Sequence, residues 1–156
     1  MKPSYDPVGS AVPEATLDID DDQEYWLGSE KFTGFLGETL PSGNYEFASY
    51  RDGVLDGPSG ELSPDGDLVL EEWYRRNFLH GITRTFRHDG TLATAVGYEY
   101  AYKLWTVRFD FDGRTVLATE GSQLSEPMRQ TLEVLRARVA IGPVLGPEFA
   151  ADFNRH

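Results

Sequence analysis

The chain has 156 residues, 40% apolar and 13% aromatic, with 26 Asp and Glu against 14 Lys and Arg for a formal net charge of −12. That length suits one domain, and 20 Phe, Tyr and Trp side chains supply enough large apolar area for a packed core. The charge opposes nucleic acid and anionic membrane surfaces, whose fields repel it at long range, and the absence of cysteine excludes disulfides, thiolate nucleophiles and Cys-based metal sites.

Residues 1–26 read as an acidic N-terminal arm. Over residues 1–30 the single base Lys2 stands against eight acids, five of them between Asp18 and Glu24. Pro3, Pro7 and Pro13 predict a loose arm, followed by a short strand near Ala15–Ile19. Met1–Ser10 holds no apolar signal segment, and no stretch approaches the roughly 18 apolar residues of a membrane span, so the expected location is the cytoplasm. Asp18, Asp20 and Asp22 have the alternate spacing that opens a calcium loop. Gln23 stands where that loop needs Gly, and Ser29 where it needs Glu. The run therefore reads as a solvated segment or a docking patch for a basic partner, with adventitious divalent binding as the lesser alternative.

Residues 27–122 are a repeat. Tyr50-Arg51-Asp52-Gly53-Val54-Leu55-Asp56-Gly57 is matched 24 residues later by Tyr74-Arg75-Arg76-Asn77-Phe78-Leu79-His80-Gly81, and Asp65-Gly66-Asp67-Leu68 by Asp89-Gly90-Thr91-Leu92. Shifts of 23 residues reach Gly34 and Ser42-Gly43 on one side and Asp112-Gly113 on the other, giving four repeats that start near Leu27, Tyr50, Tyr74 and Tyr98. A period of this size marks stacked units that need their neighbours to bury a face. Each repeat reads as two short strands joined at the Asp-Gly or Ser-Gly pair, taken as a two-residue hairpin loop. Alternation then places Tyr45 with Phe47, Leu68 with Leu70 and Leu92 with Val96 on shared faces, with Leu62, Phe86 and Phe109 at equivalent positions before each turn. The expected fold is mainly β: an elongated, twisted antiparallel sheet of stacked hairpins with a C-terminal capping helix.

Residues 123–156 carry that helix. Ser125-Glu126-Pro127 is a good start, Met128, Leu132, Leu135 and Val139 form one stripe, and Gly142-Pro143 ends it. The stripe reads as a cap packed on the last hairpin, or else as a partner-binding face.

The pattern Tyr-x-x-Gly/Asn-x-Leu-x-Gly, a strand, then Asp-Gly-x-Leu resembles the MORN-repeat family, and more closely its bacterial branch of YwqK-type antitoxin- or immunity-like proteins. Tyr50, Gly53, Leu55, Gly57, Asp65, Gly66 and Leu68 carry the likeness, and again Tyr74, Asn77, Leu79, Gly81, Asp89, Gly90 and Leu92. The first repeat opens with Leu27 rather than Tyr, and the fourth, at Tyr102-Lys103-Leu104-Trp105, lacks the second Gly. The resemblance implies hairpins and a binding or scaffolding role, with no catalytic residues to carry over.

No phosphate-cradling or dinucleotide loop occurs, and no cofactor is expected. His80, His88 and His156 lack metal-ligand spacing, and Ser59 lacks the context of a nucleophile elbow. Glu71 and Glu72, neighbours on a strand, point to opposite faces and make no acid–base pair. Acids dominate the repeat from Tyr50 (Asp52, Asp56, Glu61, Asp65, Asp67, Glu71, Glu72), whereas Arg75, Arg76, Arg84 and Arg87 mark the next. Such stripes are either cross-strand ion pairs or a recognition surface. For the second case the expected partner-binding residues are Asp20, Asp22, Asp65, Asp67, Glu71, Glu72, Trp73, Tyr74, Tyr98 and Trp105. The leading functional expectation is a non-enzymatic, immunity- or antitoxin-like protein that occludes a basic partner enzyme. A membrane-proximal scaffold and a carboxylate-dependent enzyme are the alternatives.

Overall fold

The structure, a computed structural model, describes residues 1–155; His156 lies outside the described residues. The chain divides into two compact units, Met1–Asn77 and Phe78–His156. Both are built mainly from antiparallel strands, neither closes into a barrel, and a single α-helix of any length lies near the C-terminus, among the described residues.

In the N-terminal unit, β1 (Asp18–Ile19), β2 (Tyr25–Leu27) and β3 (Glu30–Lys31) make a small meander. β4 (Gly34–Thr39), β5 (Tyr45–Arg51), β6 (Val54–Leu62) and β7 (Leu68–Arg75) pair in chain order. The pleat sorts their side chains into two faces. One face holds the row Gly37, Phe47, Gly60, Glu71 and the row Thr39, Tyr45, Leu62, Leu68, with Phe47, Leu62, Leu68 and Glu71 buried. The other holds the row Leu36, Ala48, Ser59, Glu72 and the row Glu38, Glu46, Glu61, Leu70.

The arm is not loose. The Met1 carbonyl accepts from Leu68 N–H at 2.8 Å, the terminal ammonium meets Asp67 at 2.9 Å, and Val12 bridges to Leu36. The Tyr5 ring lies 5.9 Å from Phe35 and 5.8 Å from Phe47, edge-on to Trp73, and buried Pro7 follows it. Charge and proline content pointed to a solvated segment, but one aromatic residue and one proline give it apolar area to bury against the sheet. A single 3₁₀ turn at Glu14–Thr16 takes the start of the expected strand, and its end, Asp18–Ile19, forms β1.

The hairpin turns differ from expectation in kind. At Ser42-Gly43, Asp65-Gly66 and Asp89-Gly90 only the glycine has positive φ (88°, 78° and 80°). The closing bonds, Leu40 N–H to Asn44 O, Ser63 N–H to Asp67 O and Arg87 N–H to Thr91 O, span three-residue loops. Pro64 fits such a type I turn, which a left-handed glycine then closes. The true two-residue loops are at Asp52-Gly53, Arg76-Asn77 and Tyr100-Ala101, where both residues have positive φ. Register also slips beyond Leu68 and Leu92. Leu68 joins buried Leu62 while Leu70 sits opposite Glu61, and Leu92 joins Phe86 while Val96 sits opposite Thr83, so neither expected pair shares a face. A bulge shifts alternation by one residue.

In the C-terminal unit, β8 (Phe78–Leu79) precedes β9 (Gly81–Phe86), β10 (Leu92–Glu99), β11 (Tyr102–Phe109) and β12 (Val116–Gly121), the last four paired in chain order. Ile82, Phe86, Ala95, Trp105, Val107 and Phe109 are buried. The segment beyond the helix lies over them. Arg84, with no exposed surface, donates to the carbonyls of Ala150 (3.0 Å), Asp152 (2.7 Å) and Arg155 (3.1 Å) and lies over the Phe153 ring. Helix α1 (Glu126–Arg138) starts as expected, with Ser125 Oγ accepting from Met128 N–H at 3.4 Å. Of its stripe only Leu132 is fully buried; Leu135 and Val139 are half-buried and Met128 is exposed. Arg136 holds the helix to buried Glu99 through two hydrogen bonds of 2.7 and 2.6 Å.

Candidate functional site

The start of the arm, through Met1 and Tyr5, closes one face of the β4–β7 sheet, and the opposite face carries the acidic row. Across β4, β5 and β6, Glu38, Glu46 and Glu61 stand directly opposite one another. Like charges so opposed destabilise a sheet, yet none of the three has an ion-pair partner among the described residues. The neighbouring row, Leu36, Ala48, Ser59 and Glu72, is small or apolar except at its end. Tyrosines border it. Tyr25 and Tyr50 have ring centroids 4.8 Å apart, Tyr25 Oη donates to Glu14 Oε1 at 3.1 Å, and Tyr74 Oη donates to Glu72 Oε2 at 3.3 Å.

Burial sets the electrostatics here. Desolvation pushes the Tyr50 hydroxyl far above its ordinary range, with Tyr25 beside it adding to the rise, and pushes Tyr74 up to about 12, with help from Glu72. Desolvation also raises Glu72, against the lowering influence of the Tyr74 hydrogen bond. A cavity of about 180 Å³ opens among Glu14, Tyr25, Glu38, Glu46, Ala48 and Tyr50, and no lysine or arginine lines it.

No protein-family model matches the chain, and no curated protein matches it. The geometry of the site therefore carries the functional reading.

Of the ten residues expected from sequence, Glu72 and Tyr74 lie on this face. Glu71 is buried on the opposite face, where its carboxylate accepts from Tyr5 Oη at 2.9 Å, and Trp73 lies against the same tyrosine ring. Asp67 is engaged by the N-terminal ammonium, which holds its carboxyl below the usual range, and the Asp65 carbonyl accepts from Lys2 Nζ. Asp20 accepts from Trp26 Nε1 at 2.7 Å and from the N–H groups of Glu24 and Asp22, an arrangement that lowers its pKa and organises the β1–β2 loop; Asp22 itself is exposed. In the C-terminal unit Tyr98 is half-buried, whereas Trp105 is buried and donates to the Leu145 carbonyl at 3.1 Å. As a buried side chain Trp105 serves the core and offers no exposed anchor.

The expected cross-strand ion pairs are sparse as well. Arg75 approaches Asp56 at 3.8 Å, while the Arg87 guanidinium donates to the carbonyls of Leu92, Phe109 and Asp110. Among the described residues no three His, Asp or Glu side chains gather as a metal ion requires, and no helix is long and apolar enough to cross a membrane. His80 is buried and His88 exposed, and His156 lies outside the described residues.

Sequence reasoning missed Tyr25, Tyr50, Glu14, Glu38 and Glu46 as members of one face. The signal was present for two of them: Tyr45-Glu46-Phe47 alternates, and buried Phe47 fixes Glu46 as outward. Tyr50 and Tyr74 open successive repeats, so one period places them side by side.

Proposed function

We propose that this chain is a non-enzymatic, cytoplasmic protein-binding module that inhibits a basic partner enzyme by covering it, in the manner of the MORN-type immunity and antitoxin proteins its repeats resemble. The observation that carries the reading is the unneutralised row Glu38–Glu46–Glu61 on an open face bordered by Tyr25, Tyr50 and Tyr74. A monomer holds these carboxylates against their own repulsion. A basic surface turns that repulsion into attraction, while a net charge of −12 steers the encounter. The tyrosines supply rigid amphipathic contact area of the kind that anchors interfaces. Carboxylates spaced along the strands then stand where the phosphates of a polyanionic substrate would lie.

The test is affinity capture from the native host at low and moderate salt, with identification of what co-elutes and assay of its activity. The expected result is one basic protein, bound stoichiometrically at low salt, released as salt rises and inhibited on re-addition. The variant with Glu38, Glu46 and Glu61 all changed to Gln should release it at lower salt. A partner without excess positive charge, salt-insensitive binding, or a partner whose activity is unchanged on binding would overturn the proposal.

A further inference from the structure

The geometry points to the cavity between Tyr25, Tyr50, Glu38 and Glu46 as a receptor for a single guanidinium group, the side chain of an arginine presented by the partner. This deepens the reading of the same face as a protein-binding surface, and rests on it for the source of the arginine.

Four features select the ligand. First, the cavity is small, about 180 Å³, and its lining includes three carboxylates, from Glu14, Glu38 and Glu46, and no cation; it excludes anions and takes one cationic group. Second, its acids do not gather as a metal ion requires, among the described residues. Glu38 and Glu46 belong to facing strands, at a Cβ separation of roughly 5 Å for an opposed pair, so a single cation with several donors can serve both. Third, the wall is aromatic. The Tyr25 and Tyr50 rings are inclined by 59° and half-buried, with Tyr25 Oη committed to Glu14. Their π faces suit a flat, delocalised cation. Fourth, Leu36 and Ala48 line the cavity and cannot replace water around an ammonium group.

Guanidinium meets all four. It is planar, carries five N–H donors in a fixed fork that bridges two carboxylates, stacks on tyrosine and sheds water more readily than lysine ammonium. Lysine offers a strongly hydrated point charge with no flat face to lie against the tyrosine rings. The Tyr25–Glu14 hydrogen bond holds a third carboxylate at the same cavity before the ligand arrives, which lowers the cost of ordering the site.

The experiment is a titration of the full-length protein with N-acetyl-arginine amide, N-acetyl-lysine amide and tetramethylammonium at constant ionic strength, followed by backbone amide NMR shifts. The expected result is saturable shifts at Ala48 and Ser59 for the arginine compound, with millimolar affinity at least threefold tighter than for the other two. Glu46→Gln should weaken arginine binding about tenfold. Glu30→Gln, an equal charge change at an exposed β3 position, should leave it within twofold. Amide spectra of both variants report whether the fold is kept; if Glu46→Gln perturbs it, Glu38→Gln, at the directly opposed carboxylate, replaces that variant with the same expected loss. Tyr50→Leu, which removes one aromatic wall of the cavity, should lose arginine binding. Equal affinity for the three cations, shifts scattered over the molecule, or equal losses in Glu46→Gln and Glu30→Gln would overturn the inference. Partner inhibition without arginine selectivity in the cavity would sink the pocket alone; arginine selectivity without any basic partner would sink only the inhibitor reading.

Discussion

Tyr5 Oη donates to the buried carboxylate of Glu71 at 2.9 Å, while its ring packs on Phe35, Phe47 and Trp73. One residue of the first ten thus decides which face of the N-terminal sheet is closed. Removing the hydroxyl with Tyr5→Phe keeps the packing and withdraws a donor from a buried carboxylate, at a cost of about 1–2 kcal/mol. Tyr5→Ala also exposes the aromatic cluster and should cost more, about 2–4 kcal/mol. Urea denaturation of the two variants measures both, and an unchanged midpoint for Tyr5→Ala would show that the arm does not dock.

The two-residue turns form a natural series 24 residues apart. Gly53, Asn77 and Ala101 occupy the same left-handed position with φ of 83°, 67° and 66°. Only glycine adopts it without strain. Ala101→Gly should therefore raise stability by about 0.5–1 kcal/mol, the relief exceeding the added freedom of the unfolded chain. Gly53→Ala should lower stability by about 1–2 kcal/mol, since the new Cβ would also come within 3.0 Å of the Tyr25 carbonyl oxygen. Thermal unfolding of both variants checks the opposite signs.

The fold was legible where turn chemistry and period agreed. The repeat of Gly-centred turns and buried Leu62, Phe86 and Phe109 follows from the sequence alone, because positive φ and an apolar strand position are local requirements. The bulges after Leu68 and Leu92 were not legible. They move a residue from one face to the other without changing its identity, and nothing in an alternating apolar pattern marks them. The site was half legible for a related reason. Acid count singled out the repeat from Tyr50, but burial, invisible to a charge count, assigned Glu71 to the closed face and Glu72 to the open one. Tyr25 came to Tyr50 only through tertiary packing of the β1–β3 meander.

The helix makes a sharper case. Leu132 is its single fully buried residue, with Leu135 and Val139 half-buried, so α1 is held chiefly by Leu132, by the Arg136–Glu99 pair and by the Tyr100 hydroxyl on the Val139 carbonyl. Leu132→Ala should cost about 2–3 kcal/mol, whereas Met128→Ala, on an exposed position of the same stripe, should stay within about 0.5 kcal/mol. Equal losses would mean the whole stripe is packed. Arg136→Ala leaves a buried carboxylate without its guanidinium, and hydrogen exchange should then show α1 opening ahead of β9–β11.

Glu72 links stability to pH. Burial raises its pKa above 4.5, so the folded protein holds this proton more tightly than the unfolded chain does. Its favourable contribution is therefore complete below the unfolded value, near 4.5, and is lost as pH rises through the higher folded value; at neutral pH the ionised carboxylate is a net cost. Glu72→Gln should stabilise the protein at pH 7, and the gain should shrink toward zero as pH falls below about 4.5. Stability curves for wild type and Glu72→Gln between pH 4 and 7 read this directly, and curves that stay parallel across that range would refute it. The same substitution removes charge from the open face beside Tyr74. A protein that gains stability from Glu72→Gln while losing affinity for a basic partner would be retaining this carboxylate for binding, against its own fold.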